Sequence, residues 1–523
     1  MPEGAGTTPE PAFCDLLDLA SERAGGAALI ADDDFFAPKE NLLRPGRPEW
    51  IEGKYTDRGK WMDGWETRRS RVLGNHDWCV IRLGLPGIVR GLDIDTSFFR
   101  GNFPESASVE GASVEGHPAP PDLVAKGVEW IEVLPRSPLR GHAQNFFAVA
   151  CPYRLTHVRL TIHPDGGVAR FRVHGEPVQD LRRVAARAGG LVDLAAAENG
   201  AGVIACNDMF FGSRQNLILP GRSANMGDGW ETRRKRGLTG GENDWVVVRL
   251  ACEGSVRGVE VDTNWFKGNY PESASLEGTR AEDGEPLAAL VDERRGGWQE
   301  LLPRSKLRAH TRHFFEDELV APAGPFTHVR FRIYPDGGVS RLRLLGTPSP
   351  GGFARAALRR LDALVPAEAA IELERCCGSR RFAEAMARAR PFGSEAALLS
   401  RADLVLRDLG RDDWLEAFAA HPRIGSRRDV DAKQGVERRW AEGEQASARG
   451  AAEATLEALA SLNREYEARF GWIYIVCATG RTADEMLALL RQRLANDPET
   501  EIRAAAAEQA AITRIRLEKM LRP

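Results

Sequence analysis

The sequence predicts a multidomain chain: two tandem all-β jelly-roll or β-sandwich repeats, followed by an all-α helical domain. Two observations carry this expectation. A long, ordered set of motifs occurs twice between residues 33 and 346. After residue 353 the spacing of apolar residues changes from strand alternation to helical periodicity.

The repeat is read motif by motif. DDFFAPKEN at 33–41 returns as DMFFGSRQN at 208–216. DGWETRR at 63–69 returns at 228–234, and Asp77-Trp78 returns as Asp244-Trp245. RGLDIDTSFFRGNFPESASVEG at 90–111 becomes RGVEVDTNWFKGNYPESASLEG at 257–278. Leu134-Pro135-Arg136 matches Leu302-Pro303-Arg304, and THVRLTIHPDGGVARFRVHG at 156–175 matches THVRFRIYPDGGVSRLRLLG at 327–346. Preserved order over this length identifies a gene duplication. EWIEGKYTDRGK, before the first DGWE, has little counterpart and marks a loop shortened in the second copy.

Within each copy, VIRLGLPGIVRGLDIDT and HVRLTIHPDGGVARFRVHG and their twins alternate apolar and polar residues. Their PDGG turns supply residues that tolerate positive φ. Trp65 and Trp230 are expected in the core. His157 and His328 fall inside strands and are expected to satisfy backbone groups. His310 and His313 fall on opposite faces of a strand, so no metal site is expected from them.

The expected boundaries are a flexible N-terminus at 1–24, repeat one at 25–176 and a connector with a short helix at 177–200. Repeat two follows at 201–347, then a Gly/Pro linker at 348–354 and the helical domain at 355–523. In that last domain, FARAALRRLDALV, SRRFAEAMARARPF, SEAALLSRADLVLRDL and later segments place apolar residues at i, i+3, i+4. Asp413 and Thr482 stand near helix starts as caps. GWIYIVCAT at 471–479 reads as a buried connecting segment.

Composition narrows the function. The chain has 523 residues, 43% hydrophobic and 28% charged, with a net charge of -4. Its basic residues are scattered, whereas a nucleic-acid partner would require a stripe. No apolar run is long enough for a membrane span. The 8 cysteines lack CxxC spacing, and the N-terminus lacks an apolar signal region. A reducing cytoplasm is the expected setting, with assembly into a homo-oligomer left open.

The duplication keeps polar residues as well as core. Glu66, Arg68, Arg69, Asp77, Asp95, Asn102, Glu105, Arg136 and His142 recur as Glu231, Arg233, Arg234, Asp244, Asp262, Asn269, Glu272, Arg304 and His310. With DGWETRR, DTxxFxGNxPESAS, LPRSxL and THxRxxIxPDGG present twice, residues of about 25–347 resemble the allantoicase family. The resemblance implies two jelly-roll repeats that cleave allantoate to ureidoglycolate and urea.

Allantoate carries a carboxylate and two ureido groups on one carbon. An Arg clamp suits the carboxylate, and carboxylates or Asn suit the ureido N–H groups. The resemblance therefore implies Arg68, Arg69 and Arg136, with Arg233, Arg234 and Arg304, as anion clamps. Asn102 and Asn269 join them as substrate contacts. Glu66, Asp95 and His142, with Glu231, Asp262 and His310, are candidates for proton transfer. The sequence leaves open one active copy, two, or a site built between them. A rival reading makes the repeats a ligand-binding module, with only the helical domain catalytic.

In the helical domain, Pro422 disfavours helix at His421, so the imidazole sits where a helix ends. HPRIG at 421–425, Glu444-Gln445, FGWIYIVCATG and Arg493-Leu494-x-Asn496-Asp497 together resemble the OHCU decarboxylase family. That family converts 2-oxo-4-hydroxy-4-carboxy-5-ureidoimidazoline (OHCU) to (S)-allantoin. The resemblance implies His421 as catalytic acid/base and Glu444 as its partner carboxylate. It implies Arg493 as substrate clamp, with Pro422, Gln445 and Asn496 beside the substrate. Ala441 stands where the family often has Ser, which puts one hydroxyl contact to the substrate in question. No cofactor is expected, because the ring imine adjacent to the leaving CO₂ accepts its electrons.

Overall fold

The computed structural model describes residues 10–125, 127–282, 284–292, 294–421 and 453–522. The chain divides into two compact units, Met1–Ala356 and Ala357–Pro523.

The first unit holds both repeats. Each is an eight-stranded antiparallel sheet built around one 19-residue strand, Asp77–Asp95 in copy one and Asp244–Asp262 in copy two. The first half of Asp77–Asp95 pairs with Ala27–Ala31 and with Arg154–His163. Its second half pairs with Gln144–Ala148 and Arg170–Pro177. A register shift between Leu155 and His157 marks the crossing. One strand thus serves both layers, as a sandwich corner requires. Arg154–His163 pairs onward with Ser106–Ala112, which pairs with Ile131–Pro138. Copy two repeats this order strand for strand. Alternation explains the layering beyond Ile81: Ile81, Leu83 and Leu85 are buried, while Arg82 and Gly84 between them are only partly covered; before it, Cys79 and Val80 are both buried. Trp65 and Trp230 are fully buried, as expected, and each indole donates 2.8 Å to the Asp33 or Asp208 carbonyl.

Four expectations need correction. Residues 17–24 are part of the first repeat. Leu17–Asp18 pairs with His174 and Gly175, and Leu17, Leu19 and Ala20 are buried. The twin, Val192–Asp193, pairs with Leu345 and Gly346, so the expected connector already contains the start of copy two. The expected linker is not a linker. Strand Arg341–Pro348 runs almost directly into helix Pro350–Ala363, and Ser349 Oγ accepts the Gly352 N–H at 2.9 Å. A Gly/Pro-rich composition here encodes a strand end and a helix cap. His157 and His328 pair not with backbone but with the preceding hydroxyls of Thr156 and Thr327, at 2.8 and 2.9 Å. Burial, aided by Arg82 and Arg249, pushes each imidazole down to about 4. Both are neutral near pH 7.

The second unit is helical, as expected. Its described helices include Pro366–Cys377, Arg380–Arg388, Glu395–Arg407, Arg411–Ala419, Glu453–Phe470, Ala483–Arg493 and Pro498–Met520. Thr482 caps Ala483–Arg493 in a reciprocal box with Glu485. Asp413 sits within the first turn of its helix and accepts the Gly410 N–H at 2.8 Å. The 473–478 segment is neither helix nor strand, and Tyr474, Ile475, Val476, Cys477 and Ala478 are buried in it. No helix among the described residues is long and apolar enough to cross a membrane.

Each DGWE motif is fixed by a buried ion pair. Asp63 and Arg170 meet at 2.6 Å, both nearly inaccessible, and Asp228 and Arg341 meet at 3.0 Å in the second copy. Burial would raise the Asp63 carboxyl, but the Arg170 hydrogen bond and charge hold it below the usual range. The same guanidiniums also donate to the Asp63 and Asp228 carbonyls. Removing one partner leaves an uncompensated buried charge. Arg170→Met and Arg341→Met are each expected to lower the stability of the β unit by about 3–5 kcal/mol, read by denaturant unfolding. A loss below about 1 kcal/mol would show that the pair does not fix the loop.

Candidate functional sites

The motifs shared by the two copies converge because backbone groups of one loop hold the next. In copy one, Gly64 packs against Val168 and Ala169, where a Cβ would lie 2.6 Å from the Val168 carbonyl. Glu66 then points toward Asn102, whose Nδ2 donates to Glu66 Oε1 at 2.7 Å. The Asn102 carbonyl accepts the Gly167 N–H of the PDGG turn at 2.8 Å. Gly166 has φ +134 and its missing Cβ would meet that carbonyl at 2.7 Å, so glycine is required there. Asp165 closes the ring by accepting the Ser70 N–H at 2.8 Å. Burial raises the Glu66 carboxyl, and the Asn102 bond opposes it.

Copy two repeats every link. Asn269 Nδ2 donates to Glu231 Oε1 at 2.5 Å, Gly338 N to the Asn269 carbonyl at 2.8 Å, and Lys235 N to Asp336 at 2.7 Å. Here the motifs surround a cavity of about 690 Å³. Glu231, Arg234, Asn269, Glu272, Lys306 and Asp336 are its ionisable and amide walls.

The structure gathers part of the expected set. Glu231, Arg234 and Asn269 share this cavity, and Glu66 and Asn102 make the matching contact in copy one. Arg69 is exposed, like its twin. Arg68 and Arg233 instead pair with Asp33 and Asp208 at 3.0 and 3.8 Å and stack on Phe35 and Phe210. Arg136 and Arg304 donate to the hydroxyls of Ser106 and Ser273 at 2.8 and 2.7 Å. Arg304 also reaches Glu272 at 3.1 Å, one step from the cavity.

Asp95 and Asp262 are buried and accept the N–H two residues on, at 2.7 and 2.8 Å, which ties the strand to its following turn. Burial raises the Asp95 carboxyl. His142 and His310 have φ +51, and each Nδ1 accepts the N–H of Phe98 or Trp265, themselves at φ +70. These imidazoles brace paired left-handed residues.

Lys306 and Tyr270 were not anticipated. Their counterparts are Pro138 and Phe103, so a comparison restricted to identities passes over them. The signal was present as a difference between copies at motif positions.

In the helical unit, His421 follows the end of Arg411–Ala419, and its Nδ1 lies 3.4 Å from Arg516 Nη2. Arg493 Nε donates to Glu501 at 2.8 Å and its Nη1 to the Ile475 carbonyl at 2.7 Å, beneath the Tyr474 ring. Asn496 donates to the other Glu501 oxygen at 2.7 Å, and Tyr466 also donates to Glu501. Glu501 is completely buried. The structure therefore ties Arg493 to the buried 473–478 segment, and Glu501 joins Asn496 to Arg493. Pro422, Ala441, Glu444 and Gln445 lie outside the described residues.

A family model described as allantoicase repeat matches residues 17–178 and 192–349, and one described as OHCU decarboxylase matches 362–518. A probable allantoicase of Burkholderia mallei is 48% identical over 331 residues, which is 63% of this chain and 94% of that protein. An allantoicase of Dictyostelium discoideum is 46% identical over 330 residues, 63% of this chain and 86% of that one. The crystal structure of allantoicase from Saccharomyces cerevisiae matches with a TM-score of 0.51 and 33% identity, covering 63% of this chain and 92% of its own. Through its paired β repeats the chain belongs to the allantoicase family, and it continues into an OHCU decarboxylase domain.

Proposed function

We propose that one polypeptide carries two reactions of purine breakdown. The β repeats hydrolyse allantoate to ureidoglycolate and urea, and the helical unit decarboxylates OHCU to (S)-allantoin. The observation that carries the first assignment is the copy-two cavity, whose lining combines two cations, Arg234 and Lys306, with three carboxylates, Glu231, Glu272 and Asp336, and the Asn269 amide. Arg234 and Lys306 hold the substrate carboxylate. Glu231, steadied by Asn269, receives ureido N–H groups or the proton of the attacking water. The leaving urea must gain a proton as its C–N bond breaks, and Glu231 returns the one taken from the attacking water; Glu272, held below the usual carboxylate range by the Ser273 and Arg304 hydrogen bonds, stays ionised.

Copy one has Pro138 in place of Lys306, so it presents one cation fewer. It is therefore assigned a supporting role. A binding module without catalysis would not need paired carboxylates beside paired cations. In the helical unit His421 handles the proton delivered to the ring after CO₂ departs. Arg493, neutralised by Glu501, acts as a positioning residue for the 473–478 wall rather than as a free clamp. The proposal uses no cofactor and no nucleic-acid or membrane partner, and it keeps the cytoplasmic setting.

Lys306→Met and Arg234→Gln should each lower kcat/KM for allantoate by about tenfold to hundredfold, as expected for a lost charged contact. Unchanged urea release in both would remove the cavity from the reaction. His421→Ala should abolish stereospecific formation of (S)-allantoin from freshly generated OHCU, followed by circular dichroism, while urea release from allantoate persists. Full retained decarboxylation would remove His421 from the chemistry.

A further inference from the structure

Two arginine–glutamate pairs hold the 473–478 segment of the helical unit. The segment is buried but belongs to no helix or strand, so its backbone groups need partners from elsewhere. Arg493, at the end of helix Ala483–Arg493, donates to the Ile475 carbonyl and is neutralised by Glu501. Glu508 supplies the other hold: its Oε2 accepts the Cys477 N–H at 2.6 Å. Arg481, just before the same helix, donates to Glu508 Oε2 and Oε1 at 2.8 and 3.1 Å, a fork that locks the carboxylate plane. The Arg481 N–H also donates to the Ala478 carbonyl at 3.1 Å, across Gly480 at φ +81. Cys477, Glu508 and Arg481 thus close a ring around the turn that ends the segment.

Both glutamates stand on helix Pro498–Met520. Beyond Glu508 the same helix presents Arg516, whose Nη2 lies 3.4 Å from His421 Nδ1. The helix therefore meets Arg493, the Cys477 amide and the His421 ring at three successive heights, about 10–12 Å apart along its axis. His421 is joined to the segment from another side as well. Phe418, one turn before it, is buried in one apolar cluster with Tyr474, Ile475, Val476, Cys477 and Ala478. Glu501 is completely buried and serves Tyr466 and Asn496 besides Arg493. Glu508 is 21% exposed, and among the described residues its hydrogen bonds go to Cys477 and Arg481.

We propose that Glu508 is a positioning residue for the decarboxylation. Through the Cys477 N–H it sets where the 473–478 wall stands relative to His421, so that a substrate ring held between them presents its carbon to the imidazole. The proposal rests on the reading of His421 as the group that handles the ring proton.

The test compares full-length Glu508→Ala and Glu508→Gln on freshly generated OHCU. A misplacement of about 1 Å costs up to about 10²-fold in rate. Glu508→Ala should therefore lower kcat by about tenfold to hundredfold, with KM changed by less than about threefold. The pH midpoint of kcat should stay at its wild-type value, because the proton-handling group is untouched. Glu508→Gln keeps an oxygen for the Cys477 N–H but loses the ion pair, and it should recover kcat to within about threefold of wild type. A purely structural ion pair predicts that Glu508→Gln is as impaired as Glu508→Ala. Calorimetric titration with (S)-allantoin should give both variants the wild-type stoichiometry. Wild-type kcat in Glu508→Ala, equal loss in the two variants, or a lowered stoichiometry in Glu508→Ala would each overturn the proposal. Retained decarboxylation in His421→Ala beside a lowered kcat in Glu508→Ala alone would keep the hold on Cys477 and contradict the His421 assignment instead.

Discussion

The β unit depends on the buried pairs Asp63–Arg170 and Asp228–Arg341. Each joins the DGWE loop to the strand that follows the PDGG turn. Each also satisfies loop carbonyls that would otherwise be buried without donors. Once that loop is fixed, Trp65 or Trp230 fills the core and the next residue, Glu66 or Glu231, is delivered to Asn102 or Asn269. The Asn backbone holds the PDGG turn, and the turn carboxylate holds the N–H beyond DGWETRR. The motifs are far apart in sequence but form one closed ring of hydrogen bonds. That is why they recur as a set in both copies.

Duplication separates scaffold from specialisation. Ring residues are identical in the two copies, which identifies them as structure that any working copy needs. At the Glu231 cavity the copies differ, with Lys306 against Pro138 and Tyr270 against Phe103. The two copies are therefore structurally equivalent and chemically unequal.

Much of this was legible in the sequence. The repeat, the strand alternation, the Trp core positions and the Thr482 cap follow from local patterns whose physics is short-range. The roles of the shared polar residues were less legible, because identical residue types serve as pins and as reagents. Asp95, Asp262, His142 and His310 look like acid/base candidates, but three-dimensional context engages them with turn N–H groups. Arg68 and Arg233 look like anion clamps and are held by Asp33 and Asp208. Arg493 has an acidic partner, Glu501, that only folding reveals. The misread linker at 348–354 shows the limit of composition: Gly and Pro permit a linker, but a serine side chain can turn them into a helix start.

The central claim is that the copy-two carboxylate, not its copy-one twin, takes part in allantoate cleavage. The direct measurement is steady-state urea release from allantoate by full-length Glu231→Gln and Glu66→Gln, with circular dichroism confirming that both fold. The account predicts a loss on the order of 10²-fold or more in kcat for Glu231→Gln, and near wild-type turnover for Glu66→Gln. The reverse pattern, with Glu66→Gln inactive and Glu231→Gln active, would contradict it.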